Sequence, residues 1–166
     1  QQNINVLNFK QISDFDLISN NKYDRIISIN FFESLKKKEY SHYFDECNKK
    51  LNGKGYMIIT SICKYKNNVF DIEPWFNSVF SEKLNIPIFN DIFEYSKNYF
   101  QISSIENYSN SYCNILKKNF EYFKSKTAET QKNKKESDFI IKSIEFYLCT
   151  IHILFIFKTM CFCDFY

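Results

Sequence analysis

The sequence predicts an α/β domain, and three observations carry that prediction. Two apolar runs rich in β-branched residues, "RIISI" at 25–29 and "YMIITSI" at 56–62, read as strands. Between them "KKKEYSHYFDECNKKL" spaces Tyr40, Tyr43, Phe44, Cys47 and Leu51 at helical intervals, with Lys and Glu in the gaps. Strand, helix and strand with short connections form a βαβ unit, whose strands run parallel with a right-handed crossover by default. The unbroken apolarity of the second run suits a strand covered on both faces.

The other elements follow in order. "NINVLNF" reads as an opening strand carrying Ile4, Val6 and Leu7, and a polar loop through Ser13, Asp14 and 20–21 leads to the strand at 25–29. Just past that strand Glu33 follows two phenylalanines. It either opens the next helix, where a carboxylate suits the positive dipole end, or sits where an open α/β sheet binds its ligands, at the carboxyl end of a strand. "NGKG" at 52–55 is expected to stop the helix and turn the chain. Pro74 and Pro87 interrupt the next stretch, which resumes as a helix over 88–97. "NYFQISSIENYS" supplies another strand, and "YCNILKKNFEYFKSK" a helix with Tyr112, Leu116, Phe120 and Phe123 along one side. A basic linker, "KSKTAETQKNKKES", clusters Lys124, Lys126, Lys132, Lys134 and Lys135 ahead of a strongly apolar helix from about 138. "MCFCDFY" reads as the last strand. No internal repeat divides the chain, so 1–166 is expected to be one domain.

Composition narrows the function classes. A chain of 166 residues with 45% hydrophobic and 25% charged residues is that of a folded domain with a real core. Net charge is +3 and Arg25 is the sole arginine, so there is no cluster of guanidinium forks for nucleic acid. Among the six cysteines there is no C-x-x-C pair, and Cys161 and Cys163 would share one face of a strand. They read as buried, reduced thiols in a cytoplasmic compartment, with no metal site. The apolar run "FYLCTIHILFIF" is about 12 residues, where a bilayer span needs about 20. It is expected to be a buried helix, with His152 as a core histidine. The opening "QQNINVLNF" has neither the charged start nor the apolar core of a secretory signal, and the chain begins without Met, as a processed chain or fragment would.

Taken in order, the segments resemble the cyclopropane-fatty-acid synthase and mycolic-acid methyltransferase family, whose members use S-adenosylmethionine (SAM). "KYDRIISINFFESL" resembles its strand ending in a Phe-Glu-His-type motif, and "YFDECNKKLNGKGYMIITSI" its following helix, turn and strand. The stretch from "EPWFN" to "YCNILKKNF" is similar to its aspartate-proline-tryptophan start and Tyr-x-x-Thr-Leu helix, and "FYLCTIHILFIFKTMCFCDFY" to its closing helix and strand. The resemblance implies a Rossmann-like methyltransferase fold. In it the last strand, 161–166, runs antiparallel beside 56–61, with 99–104 outside it.

The same resemblance implies a site. Glu33, a backbone group of Ile62 and the Tyr112 hydroxyl would hold a bicarbonate ion, the base that removes a proton after methyl transfer to an alkene. Asn8 and Phe9 would meet the adenine of SAM, with Ser28 and Ile29 as further cofactor-binding positions. A methyl group added to a double bond leaves a carbocation, which requires a dry pocket with one positioned base. The implied acceptors are unsaturated phospholipid acyl chains, with peripheral membrane contact. A small-molecule N-methyltransferase of the same superfamily, an inactive remnant and a membrane-anchored interaction protein remain open. Thr60 and Ser34 stand where the family has histidines, and Asn8 keeps polarity without charge. The glycine-rich loop that cradles SAM has no counterpart, because the only glycines are Gly53 and Gly55. The chain is therefore expected to be the C-terminal two-thirds of a catalytic domain, with 4–7 poorly paired.

Overall fold

A computed structural model of the chain describes residues 22–65, 72–80, 84–130, 135–156, 158 and 160–166. Its strands are β1 (Tyr23–Ile29), β2 (Leu51–Lys64), β3 (Ile105–Asn107) and β4 (Met160–Phe165). The helices are α1 (Tyr40–Lys50), α2 (Glu73–Val79), α3 (Phe89–Ser96), α4 (Ser109–Thr130) and α5 (Lys135–Ile156), with 3-10 turns at Phe32–Ser34 and Lys37–Glu39. Among the described residues the sheet has four strands in the order β1-β2-β4-β3. β1 and β2 run parallel, from Arg25 opposite Tyr56 to Ile29 opposite Thr60. β4 lies antiparallel to both β2 and β3. The expected α/β class, mixed sheet and inserted antiparallel last strand are all present.

Strand alternation sorts β2 into two faces. Met57, Ile59 and Cys63 join Cys161, Cys163 and Phe165 of β4 in a core completed by Phe32, by Tyr40, Tyr43, Phe44 and Cys47 of α1 and by Ile92 of α3. Ile62 and Met160 join a second core with Leu116 of α4 and Ile151, Leu154 and Phe155 of α5. The cysteine reading fits this: Cys47, Cys63, Cys161 and Cys163 are buried as small apolar groups. The apolar run at the chain's end is likewise a packed helix. No helix among the described residues is long and apolar enough to cross a membrane.

Some local expectations change. "NGKG" does not turn the chain: α1 ends at Lys50, Leu51 is already extended (ψ 142°), and β2 begins there. Gly55 answers to crowding, since a Cβ there would meet Leu51 Cδ2 at 2.4 Å and the Asp24 carbonyl at 3.2 Å. The outer strand is Ile105–Asn107 and not 99–104. The Tyr99 and Phe100 N–H groups both donate to the Ser96 carbonyl, closing α3, while Tyr99, Phe100 and Ile102 pack on the first core. Only Ser103 and Ser104 reach the sheet end, through hydrogen bonds with Tyr166 of 2.7 and 3.0 Å. Pro74 does not interrupt a helix but sits in the first turn of α2, where its missing N–H costs nothing. The "NINVLNF" strand, its pairing, and Asn8 and Phe9 lie outside the described residues.

Phe44 tests this packing. It is 1% exposed, with the Phe32, Tyr43 and Phe100 rings 5.5, 5.3 and 6.2 Å away. Phe44→Ala is expected to cost about 3–5 kcal/mol, read as a lower urea midpoint at unchanged slope. A loss below about 1 kcal/mol would mean that the ring cluster does not form.

Candidate active site

The site begins with a reversal of the chain after β1. Asn30 takes a left-handed conformation (φ 51°), which Asn tolerates better than most residues, and its N–H donates to the Thr60 carbonyl at 3.0 Å. The chain then enters the Phe32–Ser34 turn. Phe32 is fully buried, with Tyr40, Tyr43 and Phe44 ring centroids at 4.5, 5.4 and 5.5 Å. With Phe32 fixed among these rings, Glu33 lies over β2 and is only 6% exposed. The Ser61 hydroxyl donates to Glu33 Oε2 at 2.9 Å, and the Asn85 N–H donates to the Glu33 carbonyl at 2.6 Å. Glu33 therefore does not open α1, which starts seven residues later at Tyr40. It belongs to the carboxyl ends of the parallel strands.

Burial pushes the Glu33 carboxyl above its ordinary range, while the Glu33 backbone, the Ser61 hydroxyl and the Ile62 backbone pull it partly back. Ile62, the next residue, faces the second core. There Tyr112 of α4 stacks on Phe162 at 4.4 Å and lies 5.1 Å from Phe155. Burial and the nearby Glu33 charge both raise the Tyr112 phenol. Tyr147 of α5 faces the same charge: burial, Tyr112 and Glu33 push it up to about 12. Both phenols thus feel the Glu33 charge, while the carboxyl itself is held by a hydroxyl and by backbone.

Ile62 meets Glu33 through its backbone and shares the second core with Tyr112, whose phenol feels the Glu33 charge. Ser28 and Ile29 part company, as alternation requires: Ser28 is 8% exposed on the α1 side and Ile29 is 63% exposed on the other. Ser61 and Tyr147 are residues that sequence reasoning missed. A lone Ser in an apolar strand and one Tyr in an apolar helix carry no signal until the register of β2 and α5 is known. A cavity of about 560 Å³ lies elsewhere, towards the start of β2, over a floor including Phe44, Met57, Ile59 and Phe165. Neither Glu33 nor Tyr112 lines it.

Comparison with known proteins follows the same lines. The family model described as mycolic acid cyclopropane synthetase matches residues 1–165. The cyclopropane-fatty-acyl-phospholipid synthase of Escherichia coli (strain K12) is 26% identical over 117 residues, 70% of this chain and 30% of that protein. The solved cyclopropane synthase MmaA2 from Mycobacterium tuberculosis superposes with a TM-score of 0.73 at 17% identity, over 91% of this chain and 56% of that one. Mycolic acid cyclopropane synthase CmaA1, complexed with SAH and CTAB, gives 0.71 at 16% identity over the same shares. The fold is thus part of a Rossmann-like methyltransferase fold. The chain spans less than a third of its curated relative and just over half of each synthase.

Glu33 carries a stability signature. Its folded pKa lies above the ordinary 4.5, so the folded state binds the proton more tightly and stability falls as pH rises from 4.5 through the folded value. Glu33→Gln removes that loss. Its thermal midpoint should exceed the wild type's at neutral pH and converge with it below about pH 4, as read by circular dichroism. A variant less stable than wild type at neutral pH would contradict a desolvated carboxylate.

Proposed function

The chain belongs to the mycolic acid cyclopropane synthetase family, and we propose that it forms part of a SAM-dependent methyltransferase acting on unsaturated acyl chains of phospholipids. The observation that carries this reading is the buried Glu33, bound by Ser61 at 2.9 Å at the carboxyl ends of the parallel strands, with Tyr112 and Tyr147 in its field. Methyl transfer to an alkene generates a cation that water would trap, so the walls have to be apolar and the one base has to be positioned. Phe155 and Phe162, packed on Tyr112, supply such walls.

The residues present fit a small oxyanion. Burial raises the Glu33 carboxyl and so lessens its repulsion of a nearby anion, and the Tyr112 phenol and the Ile62 backbone are the candidate donors. Bicarbonate, when bound there, supplies the base for proton removal. Thr60 offers a neutral hydroxyl where the family has an imidazole, which argues for weaker anion binding. For SAM, the chain itself contributes the end of β1 at Ser28 and Ile29, and Asn8 and Phe9 for the adenine. The glycine-rich cradle has no counterpart in it, so the activity is assigned to this chain joined to such a segment. Lys124 and Lys126 are exposed on α4; with the other lysines of 124–137 they form a basic stretch suited to anionic lipid, each worth about 1 kcal/mol near such a surface.

Fusion of this chain to the SAM-binding half of a synthase relative tests the proposal. Glu33→Gln should abolish methyl transfer to unsaturated phospholipid while SAM affinity stays within about twofold, since Glu33 serves the base and not the cofactor. Full activity in that variant would overturn the mechanism, and transfer only to a small amine would overturn the acceptor. The protein is also expected to sediment with anionic vesicles at low salt and to leave them at high salt. Equal binding to neutral vesicles would instead implicate an apolar surface.

A further inference from the structure

We propose that Ser61 is the positioning residue of the site: its hydroxyl fixes one oxygen of Glu33 against β2. This rests on the functional reading above and extends it to a residue with no role assigned there. Ser61 is 0% exposed, on the same face of β2 as the buried Ile59 and Cys63. A hydroxyl in such a place is costly unless it is bonded. Its Oγ lies 2.9 Å from Glu33 Oε2 and 3.1 Å from the Ile62 carbonyl. A serine has one proton to give, and the acidic oxygen is both nearer and the stronger acceptor when ionised.

The alternation of β2 explains why this residue can act and its neighbours cannot. Thr60 and Ile62 point to the opposite face, towards α4 and α5, whereas Ser61 points to the side on which the Phe32–Ser34 turn lies. It stands opposite Cys163 of β4, so both strands hold its backbone. Ser61 thereby offers a rigid donor to a carboxyl that sits on a short turn. Without it the Glu33 side chain retains the backbone of Glu33 and Ile62 as partners, and loses the contact that selects one of its two oxygens.

Carbon-13 NMR of the chain labelled at the glutamate carboxyl tests this, with the Glu33 resonance identified by its loss in Glu33→Gln. Ser61→Ala should shift the Glu33 titration midpoint upward, because the removed donor favoured the ionised form. Ser61→Cys, close in volume but a weak donor, should shift it the same way, and Ser61→Thr, which keeps the hydroxyl and suits a strand, should restore it. In the fusion described above, Ser61→Ala should lower kcat about tenfold with SAM affinity unchanged. An unmoved midpoint in both Ser61→Ala and Ser61→Cys overturns the proposal, as does a folded Ser61→Thr that titrates like Ser61→Ala. The titration needs neither SAM nor acceptor, so a fusion without methyl transfer would count against the functional reading and leave the role of Ser61 standing.

Discussion

Everything at this site depends on the end of β2, Ser61 to Cys63, being buried on both faces. A strand covered on one side only can leave its alternate residues to solvent; this stretch cannot. Its successive residues are turned to two different cores, one under α1 and α3 and the other under α4 and α5. Ser61 and Ile62 are neighbours in the chain and yet serve opposite sides of the sheet. Glu33 reaches Ser61 from one side, while Tyr112 and Tyr147 approach from helices on the other. The Glu33 charge therefore acts across the strand, with the backbone of Ser61 and Ile62 between the two sides.

Phe32 makes that arrangement possible. A carboxyl buried to this degree needs its backbone held firmly, because an unanchored one would swing out to water and recover its solvation. The aromatic cage around Phe32 supplies the anchor, and the Asn85 bond to the Glu33 carbonyl supplies a second. The many phenylalanines and tyrosines of this chain, which as composition say little, act locally as rigid wedges for one acidic residue.

The parts of the fold that could be read in the sequence are those written in its periodicity. The apolar run of β2 and the helical spacing of Tyr40, Tyr43, Phe44 and Cys47 state their own burial, and α1 buries those four. Where the reading failed, tertiary contacts had outweighed local signals. Gly53 and Gly55 look like a turn and lie within a strand, because the close approach of Leu51 and Asp24 demands an absent side chain at Gly55. Tyr99 and Phe100 have strand propensity, but they serve α3 and the core, and a short segment beyond them pairs instead. For the site, Glu33, Ile62 and Tyr112 were expected through family resemblance alone, since residues 29 to 79 positions apart in sequence share no period. Ser61 and Tyr147 required the register itself.

The outward side of β1 carries a consequence for motion. Ile27, Ile29 and the facing Tyr56 are 64%, 63% and 61% exposed, and among the described residues β1 pairs with β2 alone. Among the described residues its hold on the sheet is thus one ladder and one buried face, whereas β2 and β4 are each paired on both sides. Local opening should cost less at β1 than at β2 or β4, so its amide protons should exchange with solvent ahead of theirs. Asn30 and the Glu33 turn hang directly from that strand. Glu33 is thus tethered to a strand less firmly held than β2 and β4, and the lifetime of its alignment is set by the fraying of β1.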